Sequence, residues 1–125
     1  MRKIVLAAVS AALLAGLVPA AQAGHRPQEF CSESGDVCQS TKRVNGVRKL
    51  TITLGGKYFN RYRLCVKAPD GATTCKSFKI RDMGQAYGSS VRWRKHFPDA
   101  GEGAYTVTWK NRGTRIGARL GFHVK

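Results

Sequence analysis

Apolar and polar residues alternate along most of this chain with a period of two. Leu50, Ile52 and Leu54 alternate with threonines, and the same pattern recurs over residues 61–67, 77–81, 90–94, 105–110 and 119–125. Period two is the pattern of a strand with one buried face. Turn-forming residues such as those of Asn45-Gly46 separate the runs. No segment after residue 23 shows the i, i+3, i+4 repeat of a helix. We therefore predict six or seven short strands in an all-β sandwich or barrel.

The first 23 residues have a different composition. Arg2 and Lys3 precede an apolar run from Ile4 to Ala21, and Ala21-Gln22-Ala23 offers the small residues of a cleavage site. This is the layout of a helical secretory signal peptide, which we predict to be cleaved after Ala23. The protein is then secreted or associated with the cell envelope. No later apolar stretch approaches the roughly 20 residues that span a bilayer, so we predict no transmembrane segment in the mature protein.

Removing this segment changes the composition that matters for function. The chain has 125 residues and a formal net charge of +15, and cleavage leaves 102 residues with a charge of +13. That length suits one domain and excludes a multidomain enzyme, a (β/α)8 barrel and a doubly wound dinucleotide-binding protein. We predict an N-terminal lead-in with a short disulfide loop over residues 24–40 and the sandwich over residues 41–125.

Four cysteines are expected to form disulfides in an oxidising compartment. They are Cys31, Cys38, Cys65 and Cys75, and three pairings are possible. The turn signal Pro69-Asp70-Gly71 would fold the chain so that Cys65 lies directly opposite Cys75, with the close Cβ approach that a disulfide needs. Cys31–Cys38 would then close a short loop.

One stretch resembles a known family. Asp99 and Gly101 precede the pattern Gly103-x-Tyr105-x-Val107-x-Trp109, and the chain closes with an apolar strand over 120–124. These features are similar to the last two strands of the small immunoglobulin-like domains that bacteria export, many of them of unknown function. The resemblance implies an antiparallel immunoglobulin-like β-sandwich of about seven strands, in which the Tyr105 hydroxyl closes a corner. The chain departs from antibody-type domains because it lacks a cysteine pair joining the sheets around a core tryptophan.

The basic residues are the strongest functional signal. The period-two pattern places several of them on one outward face of the hairpin that the Cys65–Cys75 disulfide would close. These residues are Arg61, Arg63, Lys67, Lys79 and Arg81. Arg92 and Arg94 project similarly from the next strand, and Lys110, Arg112, Arg115 and Arg119 crowd the last hairpin. A clustered positive field attracts polyanions. We predict contact with a cell-wall polymer, an acidic polysaccharide or another polyanion. The alternative is a solvated surface that protects strand edges from aggregation.

The sequence does not point to catalysis. It contains no GxSxG, HExxH or P-loop pattern, and most acidic residues fall in turn signals. We therefore predict a binding protein that is not an enzyme, with no metal site and no cofactor. The alternative function is a secreted cationic effector, either an inhibitor or an antimicrobial protein, acting through the exposed Cys31–Cys38 loop.

Overall fold

The computed structural model describes residues 26–125. The predicted signal peptide, residues 1–23, lies outside the described residues. Ten strands and one short helix follow in the order β1 Glu29–Cys31, β2 Val37–Ser40, β3 Arg43–Val44, β4 Val47–Leu54, β5 Arg61–Lys67, β6 Thr73–Lys79, β7 Arg81–Asp82, β8 Tyr87–Arg92, α1 Trp93–His96, β9 Gly103–Asn111 and β10 Thr114–Val124.

The strands form two antiparallel sheets. The first has the order β1-β2-β4-β8-β7, with β3 pairing to the start of β4, and the second has the order β10-β9-β5-β6. The prediction of an all-β fold is therefore confirmed. The strand number exceeds the expectation because β3 and β7, with two residues each, and β1, with three, are too short to show an alternation.

The core lies between the two sheets, where the period-two pattern buries alternate side chains. Leu50, Ile52 and Leu54 of β4 are almost fully buried, and Leu64 and Trp109 meet them from the second sheet. The removal of these apolar side chains from water is the main favourable contribution to the free energy of folding.

Both predicted disulfides are present. Cys65 lies directly opposite Cys75 with 4.0 Å between the Cα atoms, and Cys31 lies opposite Cys38 at 4.1 Å. Each bridge therefore joins neighbouring strands within one sheet.

One buried side chain joins the two sheets along an edge. Strand β10 has a bulge between Ile116 and Leu120, where Gly117 has a φ of +64°. The Gln39 amide from β2 donates to the Ile116 carbonyl at 2.9 Å and accepts from the Ala118 N–H at 3.0 Å. Gln39 thus replaces the ladder hydrogen bonds that the bulge leaves unmade.

Two strand predictions were wrong in their extent. The expected strand over 90–94 ends at Arg92, and Trp93 and Arg94 belong to α1. The chain leaves the direction of β8 at Trp93, whose buried ring packs edge-on against Tyr105 and Phe122. The expected strand over 77–81 is also divided, because Ile80 lies between β6 and β7. The side chain of Ile80 is buried, and its backbone N–H donates to the Asn60 carbonyl.

The second division moves one predicted site residue. Arg81 lies on β7 and pairs with Gly88 of β8, so it belongs to the first sheet. It is therefore absent from the outward face of the disulfide-bonded β5–β6 hairpin.

No helix within residues 26–125 is long and apolar enough to cross a membrane.

Candidate functional site

A band of basic side chains crosses the outer surface of the second sheet. Tyr62, Leu64 and Val66 of β5 point into the core, so Arg61 and Arg63 point outward. The residues directly opposite these two share the outer face, and they include further cations. We define the cationic sheet face as Arg61, Arg63, Lys79, Lys110 and Arg115.

The register of the sheet places these cations next to one another. Arg61 lies opposite Lys79, Arg63 lies opposite Lys110, and Lys110 lies opposite Arg115. Strands β5, β6, β9 and β10 contain no Asp or Glu. Like charges directly opposite each other destabilise a sheet. The face is therefore a positive surface without compensating acids in its own strands.

Residues next to the cationic sheet face mark its two borders. The amide of Asn111 donates to the Arg61 carbonyl at 3.1 Å, which ties the end of β9 to the start of β5. On the other side, the cationic sheet face is bordered by the row of paired residues that contains the Cys65–Cys75 disulfide and Thr108. Lys67 points outward beyond that row, opposite Thr73 and Thr106, so it is separated from the other cations.

A second group of cations surrounds a cleft at one end of the sandwich. The cleft has a volume of about 830 Å³. Three segments line it, namely the β3–β4 hairpin, the end of β8 with α1, and the end of β10. We define the end cleft by its cations, Arg43, Arg48, Arg92, Arg94, Lys95 and Lys125, together with His123.

The predicted contact residues therefore occupy three places. Arg61, Arg63 and Lys79 lie together on the cationic sheet face, with Lys67 on the same side of the sheet. Arg81 is on β7, whereas Arg92 and Arg94 line the end cleft.

The other side of the end cleft was not predicted from the sequence. Arg43 and Arg48 lie directly opposite each other across the β3–β4 hairpin. Its turn residues, Asn45 and Gly46, have φ of 52° and 80°, as the type I′ turn favoured by Asn-Gly requires. That dipeptide, with basic residues at equal distances on both sides, was the signal that could have revealed the pair.

The acidic residues of three turns have structural roles. The carboxylates of Asp70, Asp82 and Asp99 each accept a backbone N–H two residues further on. These are Asx turns, in which the side chain fixes the loop. Within residues 26–125 no three His, Cys, Asp or Glu side chains form a group that could hold a metal ion.

Comparison of the chain with protein-family models, with curated proteins and with solved structures gives no significant match.

Proposed function

We propose that this chain is a non-catalytic binding module that contacts an anionic polymer through the cationic sheet face. The observation that carries the proposal is the direct pairing of like charges in the second sheet, with Arg61 opposite Lys79 and with Lys110 between Arg63 and Arg115. This arrangement costs folding free energy. An anionic polymer lying across the strands would remove the repulsion and release its own counterions.

The dimensions of the face suit an extended ligand. Neighbouring strands lie about 4.8 Å apart, so cations on four adjacent strands extend over roughly 15 Å. That span matches several charged groups of a polymer better than one small anion. Arginine adds the planar fork that binds carboxylate, sulfate and phosphate groups through two hydrogen bonds.

We also infer an immunoglobulin-like topology for this module. The order β2-β4-β8-β7 beside β10-β9-β5-β6 corresponds to the A-B-E-D and G-F-C-C′ sheets of such sandwiches. Tyr105 supports the inference, since its hydroxyl donates to the Gly101 carbonyl at 2.8 Å and accepts from the Ala100 N–H at 2.9 Å. This is the hydrogen bonding of a tyrosine corner.

We further propose that the module works outside the cytoplasm after removal of residues 1–23. Two disulfides in a chain of this size support this location, because such bridges persist in oxidising compartments.

Retention on an anionic matrix tests the polymer contact. Immobilised heparin and an anionic cell-wall polymer serve as probes, with elution by a salt gradient. The test variant replaces Arg61, Arg63, Lys79 and Lys110 by Gln. The control replaces Lys49, Lys57, Lys76 and Arg81 by Gln, which removes the same charge elsewhere. We expect the test variant to elute at clearly lower salt and with a shallower salt dependence, by about one unit of slope for each lost contact. Equal losses in the two variants would contradict the proposal.

The effector alternative depends on the loop closed by Cys31 and Cys38. That loop is held by hydrogen bonds from Ser32 N–H to the Val37 carbonyl and from the Tyr58 hydroxyl to the Asp36 carboxylate. A fixed loop of this kind is what a protease inhibitor presents. Inhibition of a protease panel or of bacterial growth, abolished by shortening residues 33–35 and unchanged in the Gln variant of the cationic sheet face, would favour this alternative.

A further inference from the structure

The end cleft contains an arginine whose position is fixed by its surroundings. The Arg48 guanidinium lies 4.6 Å from the centre of the Phe122 ring, and its Nη1 donates to the Thr41 carbonyl at 3.0 Å. Stacking on an aromatic face and a hydrogen bond to the main chain both restrict the side chain. One of the five N–H donors of the guanidinium is used in this way, which leaves donors for a group in the cleft.

The charge of Arg48 has no acidic partner within the described part of the chain. The two ion pairs found in residues 26–125 join Lys42 to Glu29 and Arg94 to Asp99. Arg48 is partly buried, and the residue opposite it is Arg43. Burial, followed by the positive charge of Arg43, lowers the pKa of Arg48. Charged groups that leave water are normally paired. Arg48 is the partly buried member of this pair, and it has the exposed Arg43, not a counter-charge, opposite it.

The remaining cations approach the cleft from other elements. Arg92 ends β8, Lys95 lies on α1, and Lys125 follows β10. All three are exposed. Arg94 also lines the cleft, but its guanidinium contacts the Asp99 carboxylate at 2.9 Å. Five cations of the cleft are thus left without a carboxylate partner among the described residues.

We propose that the end cleft is a second binding site, which takes a compact anion bearing one or more phosphate groups. A phosphate presents several oxygens to the forked donors of Arg48 and Arg43, and it carries more than one negative charge. Converging cations from three elements match this charge better than they match a single carboxylate. The volume of about 830 Å³ lies within the range of sites for small molecules.

This second site is separate from the polymer contact. The cleft end of β10 pairs with Gly103 and Ala104 at the start of β9, whereas Lys110 lies six residues further along β9. That distance is roughly 20 Å at about 3.3 Å per residue. The proposal therefore stands or fails independently of the function assigned to the cationic sheet face.

Calorimetric titration of the full mature chain with inorganic pyrophosphate tests the site. The first variant, Arg48→Lys, keeps the charge but removes the fork. The second, Arg92→Gln with Lys95→Gln, changes only exposed residues, so it remains informative if Arg48→Lys fails to fold. The control is Lys57→Gln with Arg81→Gln, which removes two charges from exposed residues outside both sites. We expect each cleft variant to weaken pyrophosphate binding at least tenfold and the control to change it less than twofold.

Two further measurements identify the chemistry and the source of the phosphate. Citrate should bind at least tenfold more weakly than pyrophosphate, and equal binding would overturn the assignment to phosphate. Phosphatidylcholine vesicles with and without phosphatidic acid distinguish a lipid phosphate from a soluble one. Capture by the phosphatidic acid vesicles that pyrophosphate competes away would place the phosphate on a lipid. A failure to bind either phosphate probe would overturn the proposal, as would binding that only the control variant removes.

Discussion

Tyr62 shows how a single residue couples the core to pH. Its hydroxyl donates to the Ser89 Oγ at 2.8 Å, and this bond crosses from the second sheet to the first. Burial raises the pKa of Tyr62 to about 12, although the hydrogen bond to Ser89 acts in the opposite direction. The folded protein therefore retains the phenolic proton at a pH where the unfolded chain loses it.

We predict a loss of stability in alkali that depends on this residue. The contribution of Tyr62 is fully present below its ordinary pKa, about 10, and is lost as the pH rises toward about 12, because the unfolded state then binds fewer protons. Tyr62→Phe should reduce that loss. At neutral pH it should lower the free energy of unfolding by about 1 kcal/mol, since Ser89 loses its partner. Urea unfolding at neutral and alkaline pH measures both effects.

Ser89→Ala provides the matched comparison. It removes the hydrogen bond but leaves the buried phenol, so the alkaline loss should remain. If Tyr62→Phe and Ser89→Ala showed the same pH dependence, ionisation of Tyr62 would not be the cause.

His96 gives the corresponding prediction in acid. Burial, and then the charges of Lys95 and Lys76, lower the pKa of this imidazole, whose ring meets Phe78 edge-on at 5.0 Å. As the pH falls below the ordinary value of about 6.5, the unfolded chain takes up a proton before the folded protein does, so stability decreases. Both His96→Gln and Lys76→Gln should make this decrease smaller. Denaturation curves at about pH 7 and about pH 5 provide the measurement, and an unchanged decrease in both variants would contradict the assignment.

The contact between β2 and β10 includes one buried polar side chain. The Gln39 side chain is 3% exposed and satisfies two backbone groups of the β10 bulge. Gln39→Leu leaves the part-buried Ile116 carbonyl and Ala118 N–H without those partners. Each unsatisfied group costs about 1–3 kcal/mol.

We therefore predict that Gln39→Leu lowers the free energy of unfolding by at least about 2 kcal/mol. It should also speed hydrogen exchange at the Ala118 amide. Gln85→Leu, which changes an exposed residue, should stay within about 0.5 kcal/mol of the wild type. Chemical denaturation and amide exchange check the two statements. Slow exchange at Ala118 in the Leu variant would show that the bulge does not depend on Gln39.

The features that the sequence predicts correctly are those that a local pattern determines. The β5–β6 hairpin follows from the Pro69-Asp70-Gly71 turn, which sets the register that brings Cys65 opposite Cys75. The bond between Gln39 and Ile116, by contrast, spans 77 residues. No local pattern determines which strand edge receives that side chain. Arg81 was misplaced for a similar reason, because the chain crosses between sheets at Ile80 while the period-two pattern continues.

The same distinction applies to the two candidate sites at the scale of the molecule. Arg61 and Arg63 were predicted to share a face because they alternate within one strand. The end cleft combines Arg48, Arg92 and Lys125 from segments far apart in the chain. Only the packing of the two sheets brings those segments together, so no single stretch of sequence carries the signal.

The positive charge of the whole molecule leads to a last prediction, in which stability and binding change in opposite directions. Lys110 lies between Arg63 and Arg115 in the register of the second sheet. Removing its charge relieves two like-charge neighbours, each unfavourable by roughly 0.2–1 kcal/mol. Lys110→Gln should therefore raise the melting temperature at low ionic strength while weakening retention on heparin. Because exposed charges are screened by salt, the gain in stability should disappear at high ionic strength. Lys57→Gln, which lies outside the cationic sheet face, should show neither effect. A Lys110 variant that was less stable at low salt would show that this charge supports the fold, which would contradict the proposal that its repulsion is retained for binding a polyanion.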